Sequence, residues 1–281
     1  MVEFYCSDNS QISYYNKFKN NNNKSIGFIH GTQIGRYNDD IFWLSYILDA
    51  KSNFIKNIHK FICLFTFSEY VQKFLIEKFK EMNIEIDVHM VHHPTNFNVE
   101  KYDLSELLNS NNKKIIQLGQ QLRHHSTIYE IDTSYKKSWL PGTKNKDAHS
   151  YLKSLIAENI PNITKEKLDS VDVHYFENYK NYDDFLKESI ILLNFVDANA
   201  NNSIVESIVK NMPVITNIHP AVEEYLGKDY PLYFSNSGEI STLLNDTKIS
   251  EAYEYLLKLD ESKLNMSHFM DHILSELRKS I

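Results

Sequence analysis

Cysteine is nearly absent: Cys6 and Cys63 are the two in 281 residues. They are too few for a disulfide framework and lack CxxC spacing, so free thiols in a reducing compartment are expected. No run reaches the ~18 apolar residues of a membrane span. The N-terminal MVEFYCSDNSQ carries neither the basic nor the apolar region of a secretory signal. The chain is therefore expected in the cytoplasm or, for a viral chain, in the host cytoplasm or the virion. A basic excess is also missing, since 30 Lys and Arg stand against 37 Asp and Glu, a net charge of -7. That balance argues against a nucleic-acid partner but leaves room for a local basic pocket. There is no GxxxxGK[ST], no GxGxxG after a first strand, no HExxH and no convincing internal repeat, which removes P-loop NTPases and the usual dinucleotide and zinc-protease sites.

What is present is globular: 42% hydrophobic and 24% charged residues. The length is about twice the ~100–150 residue mode, which suits one large or two modest domains. Short apolar runs closed by glycine or polar residues alternate with helical patterns. SIGFIHG (Ser25–Gly31), FICLFTF (Phe61–Phe67) and IEIDVHMV (Ile84–Val91) read as strands, with a helix over 40–48 and another capped by Ser68, whose apolar face carries Tyr70, Phe74, Leu75 and Phe79. After a polar stretch at 109–114 the rhythm restarts with KKIIQLG, STIYEID as a second short strand, a helix over 147–159, VDVHYF (Val171–Phe176) and a helix over 182–188. SIILLNFVD (Ser189–Asp197) is continuous enough for a central parallel strand, and a helix, PVITN and further helices over 249–277 follow. Two α/β halves facing a cleft are expected.

Ligands of α/β sheets bind beyond the carboxyl ends of the strands, and three clusters lie there. In GQQLRHH, Gly119 permits a tight turn and Arg123 can grip phosphate oxygens or be a surface arginine. In DANANNSIVE, Asn202 or Ser203 is expected to cap a helix whose N–H groups can take a phosphate. Glu206 reads equally well as a ribose contact or as a first-turn acid favoured by the helix dipole. In HPAVEEYLG, Pro220 and Gly227 have structural roles as turn start and stop. His30, at the end of a buried strand, is a cleft candidate for proton transfer or for touching a sugar hydroxyl, against the plainer reading of a core or loop histidine. The adjacent pairs His92/His93 and His124/His125 diverge on a strand and do not make a metal site.

The stretch IILLNFVDANANNSIVESIVKNMPVITNIHPAVEEYLGKDYPLYF (Ile190–Phe234) resembles the nucleotide-sugar half of a two-domain glycosyltransferase of the GT-B fold. Within that fold it is similar to bacterial, phage and large-virus proteins with the same asparagine-rich loop and EYLG-x-x-YPL ending. The resemblance implies two Rossmann-like domains, the first of them short. These would be an acceptor-side domain over 1–112, a donor domain over 113–250, and C-terminal helices over 251–281 that pack back on the first domain. It gives Glu206 the donor ribose, Arg123 the diphosphate in KIIQLGQQLR, and the segment from Tyr175 the base pocket. Gly119, Asn202 and Ser203 complete the donor site, and His30 with Arg123 the catalytic pair. The pair of glutamates eight apart is incomplete, with Ala198 in the first place and Asp197 beside it. No DxD triplet occurs, so no metal and no cofactor are expected. A nucleoside-diphosphate sugar would be the donor, and a glycan or other hydroxyl compound the acceptor. A nucleotide-sugar-binding or scaffold protein without turnover, and a nucleotide-sugar epimerase, are the alternatives.

Overall fold

The apolar run SIGFI forms strand β1 (Ser25–Ile29), buried at every position. The computed structural model describes residues 25–33, 36–37, 40–41, 44, 48–49, 52–142, 154, 156–157, 160, 163–176 and 179–280. The helices expected over 40–48 and 147–159, and Cys6, fall largely or wholly outside them. A short antiparallel pair, β2 (Arg36–Tyr37) and β3 (Asp40–Ile41), and helix α1 (Asn53–Lys56) lead to β4 (Phe61–Thr66). Helix α2 (Glu69–Glu81) and strand β5 (Asp87–Met90) follow. The first sheet is parallel, in the order β1-β4-β5.

Because side chains alternate along a strand, this sheet has two apolar faces. Ile29, Leu64 and Val88 meet Val71, Leu75 and Phe79, spaced four apart on α2. Ser68 starts that helix by accepting from the N–H of Val71 at 3.2 Å, the cap read from the sequence. The other face, Ile26, Phe28, Cys63 and Phe65, is covered by Phe269 and Ile273 from the far end of the chain. The Phe28 ring lies 5.3 Å from Phe65 and 5.9 Å from Phe269. Burial raises the Cys63 thiol to about 11, so it is a packing residue rather than a nucleophile.

Helix α3 (Leu104–Asn109) leads into β6 (Lys114–Leu118), and Tyr102 and Leu107 already belong to the second, larger core. Then come α4 (Thr127–Glu130), β7 (Lys136–Leu140), α5 (Lys165–Asp169), β8 (Val171–Val173), α6 (Tyr179–Leu186), β9 (Ser189–Leu193), α7 (Asn202–Lys210), β10 (Val214–Asn217), α8 (Pro220–Leu226) and β11 (Tyr233–Phe234). Helices α9 (Ile240–Leu243), α10 (Asp246–Lys258) and α11 (Met266–Ser280) end the chain. The second sheet is parallel, ordered β11-β10-β9-β6-β7-β8, with β9 inside it. No helix among the described residues is long and apolar enough to cross a membrane.

Three local readings change. STIYEID is not a strand: Thr127, Ile128 and Tyr129 bury one helical turn, and KKSWL takes the ladder beside β6 instead. VDVHYF is extended only to Val173, leaving His174 to Phe176 in a loop. Pro220 opens a helix rather than a turn, its fixed φ suiting the first helical position after the cap His219.

Helix α11 packs Phe269 and Ile273 on one face of the first sheet. Phe269→Ala is accordingly expected to cost about 3–5 kcal/mol in urea unfolding. A loss below about 1 kcal/mol would mean that the ring does not carry this face.

Candidate functional site

The strand order reverses between β6 and β9, since β7 and β8 lie to one side of β6 and β9 to β11 to the other. Such a switch point opens a crevice at the strand ends, because the two following connections leave in opposite directions. The first is the turn after β6. Gly119 has φ +74, and a Cβ placed there would meet no atom within 4 Å. Leu122 is also left-handed, at φ +54, a strained conformation for a branched side chain. The second connection is the loop after β9, and the two are tied together. Val196 N–H donates to Leu122 O at 2.9 Å, and His124 N–H to Asn194 O at 2.8 Å.

Arg123 sits between them, 5% exposed. Its guanidinium lies 4.0 Å over the Phe195 ring and donates to Gln121 O at 3.1 Å. Burial lowers it to about 9, which still leaves a cation at neutral pH. It is thus a buried charge at the base of the glycine turn, not a surface arginine. Trp139 joins this turn to the Tyr175 segment: its indole donates to Gly119 O at 3.0 Å, and its carbonyl accepts from His174 N–H at 3.0 Å. Burial also raises the Tyr175 phenol.

The cap of α7 is Asn201, not Asn202 or Ser203. Its extended backbone turns the side chain onto Ile204 N–H at 3.3 Å. Asn202 is therefore the exposed first helical residue and Ser203 the second. Glu206 is the fifth, beyond the first turn where a helix dipole favours an acid, so the dipole reading fails. It is half-buried. Burial raises its carboxyl, Lys210 opposes the rise and Asp183 adds to it.

Across the crevice stand the strand ends of the first sheet. The His30 ring is 4.5 Å from Phe67 and 6.1 Å from His93. Burial, with His93 adding, lowers His30 to about 4, so the imidazole is neutral at pH 7. Side chains of the second half hold this wall in place. Asn199, 3% exposed, donates to Ile29 O at 2.8 Å and to Gly31 O at 3.2 Å. The same amide accepts from Phe67 N–H at 3.2 Å and from Ser68 Oγ at 2.9 Å. Glu224 accepts from Glu69 and Tyr70 N–H, at 2.6 and 2.9 Å, and so caps α2 from the other half. The Tyr225 hydroxyl donates to Phe67 O at 2.6 Å and accepts from His93 N–H at 3.1 Å.

Asp197 is 1% exposed and committed. His219 Nδ1 accepts from Ala221 N–H at 3.2 Å, which puts its proton on Nε2, 3.0 Å from Asp197 Oδ1. The carboxylate also takes Ala198 N–H at 2.9 Å and the Tyr70 hydroxyl, whose ring packs edge-on 5.0 Å from His219. Burial first, then Asp197, raises Tyr70 to about 12. Asp197 therefore joins the two halves, and it does not stand free as a displaced sugar-binding carboxylate.

No protein-family model and no curated protein sequence matches the chain. Solved structures do. Anabaena HepE in complex with UDP-glucose superposes with a TM-score of 0.67 at 11% identity, over 99% of this chain and 78% of that one. Sucrose-phosphate synthase from Thermosynechococcus elongatus gives 0.64 at 8%, over 97% and 72%. An α,α-trehalose-phosphate synthase (UDP-forming) from Burkholderia vietnamiensis gives 0.61 at 8%, over 92% and 69%. At such identities the likeness defines the fold: two parallel sheets flanked by helices, in the two-Rossmann-domain GT-B architecture.

Asn199, Glu224, Tyr225 and the Asp197–His219–Tyr70 network were not identified from sequence. Asn199 lay inside a loop already singled out, but its partners are 131 to 170 residues away. Glu224→Gln should speed hydrogen exchange at Glu69 and Tyr70 and cost about 1 kcal/mol, as a neutral amide caps less well than a carboxylate. Unchanged exchange at those two amides would show that Glu224 does not cap α2.

Proposed function

We propose that the chain is a glycosyltransferase that moves a sugar from a nucleoside-diphosphate sugar to a hydroxyl acceptor, a glycan being the best fit. The observation that carries this is the switch point. A glycine turn over a buried arginine and a helix start with an acid in its second turn meet there, opposite a neutral histidine on the other half. The GT-B architecture supports it, as two of the similar structures hold or form UDP compounds by their descriptions.

In this reading Arg123 and the N–H groups at the start of α7 meet the diphosphate, whose charge grows as the anomeric carbon–oxygen bond breaks. Glu206 accepts from the ribose hydroxyls, Gly119 lets the backbone approach, and the Tyr175 segment borders the base. His30 is too weak a base to take a proton from a hydroxyl efficiently, so it serves as a hydrogen-bonding contact to the sugar. Among the described residues no group of three or more His, Cys, Asp or Glu could hold a metal. Arg123 and the helix start take the place of one in this proposal. A nucleotide-sugar-binding protein without turnover is the rival, favoured by the commitment of Asp197 to His219 and Tyr70. Product analysis separates the two, since only the enzyme attaches sugar to an acceptor.

A thermal-stability screen with UDP-, GDP-, ADP- and dTDP-sugars should pick out one donor family, because a ligand of the folded state raises apparent stability. With that donor, Glu206→Gln should lose about 1–3 kcal/mol of affinity, and less with a 2'-deoxy or 3'-deoxy donor, since interacting partners are not additive. A full loss with both deoxy donors would take Glu206 out of the ribose site. Arg123→Ala should weaken the nucleoside diphosphate more than the nucleoside in calorimetry, and equal losses would place Arg123 outside the diphosphate site.

A further inference from the structure

Asn199 stands where the donor-side loop crosses to the other half, two residues before the cap of α7. Both hydrogens of its amide are used on the carbonyls of Ile29 and Gly31, the residues on either side of His30. Both lone pairs of its oxygen are used on Phe67 N–H and Ser68 Oγ, and Phe67 is the ring on which His30 rests. An amide can make no more than these four bonds. The side chain thus fixes the backbone of His30 from two sides and the seat of its imidazole from a third.

We propose that Asn199 is a positioning residue for His30, setting the imidazole of one half at a fixed place relative to the helix start of the other. The proposal rests on the functional reading only in giving His30 a sugar to touch. Asparagine suits the place because it is short and carries two donors and two acceptors in one plane. Aspartate would set a carboxylate against two carbonyl oxygens, and alanine would remove all four bonds, to the carbonyls of Ile29 and Gly31, the Phe67 amide and the Ser68 hydroxyl proton. Since Asn201 caps α7 and Asn199 holds His30, any shift of this loop on loading the helix start is passed to the sugar side by two residues of backbone.

The test is the titration of the His30 imidazole by NMR on the protein alone, the resonance being identified by its loss in His30→Gln. In the wild type it should titrate near 4, held down by burial and by His93. The expected result for Asn199→Ala is a midpoint moved upward by about one pH unit or more, toward 6.5, as His30 leaves its seat and gains solvent. Glu224→Gln, which loosens the start of α2 without touching residues 29 to 31, should leave the midpoint in place. A folded Asn199→Ala protein with an unmoved His30, or an equal shift in Glu224→Gln, overturns the proposal. If the alanine variant does not fold, Asn199→Ser, which keeps one hydroxyl for four partners, is read in the same way. A wild type that binds no nucleotide sugar overturns the functional reading instead, and the titration still decides the role of Asn199. With a donor in hand, Asn199→Ala should lower kcat at least tenfold while the donor KM moves less than about threefold.

Discussion

Buried peptide groups have to be paired, and at the junction of the two halves the first half cannot pair its own. The carbonyls of Ile29, Gly31 and Phe67 and the amides of Phe67, Glu69, Tyr70 and His93 all end there. Three side chains of the second half, Asn199, Glu224 and Tyr225, satisfy them. Each unpaired group would cost ~1–3 kcal/mol, so the halves cannot separate unless water enters along this line. These bonds, together with the apolar contact of Phe269 and Ile273, set the relative placement of the two sheets.

Charges are handled by the same rule. Asp197 is tolerable in the interior because three donors converge on it. His219 reaches it through Nε2, because Ala221 N–H at the start of α8 occupies Nδ1. Arg123 is treated differently, being spread over the Phe195 ring and pinned by carbonyls of its own turn. The acid is thus held by a convergence of donors, and the cation by an aromatic face and carbonyls of its own turn.

The parallel strands were legible because burial on both faces leaves an unbroken apolar run, as in SIGFI, FICLFT and SIILL. The same property misled at STIYEID, where three consecutive buried residues have no period to separate a strand from a single helical turn. The turn at Gly119 and the helix that carries Glu206 were legible from position, since each follows a readable strand. The cap of α7 was misplaced by one or two residues, at Asn202 or Ser203 instead of Asn201, in a run where several neighbours are equally good caps. Tyr70 was read as core from its helical spacing, and its hydroxyl's reach to Asp197, 127 residues on by sequence number, has no local signature. Long-range pairs of this kind set the crevice, and a single sequence does not display them.

Helix α11 lies on the first sheet although most of the second is threaded between them. During synthesis Phe28, Phe65 and Phe67 emerge long before Phe269 and Ile273. About 180 residues separate Val91 from Ile273, roughly 10–40 s of translation at ~5–20 residues per second. For that interval this aromatic face lacks Phe269 and Ile273, which cover it among the described residues, and the growing chain carries an apolar surface of the kind that favours association before folding is complete.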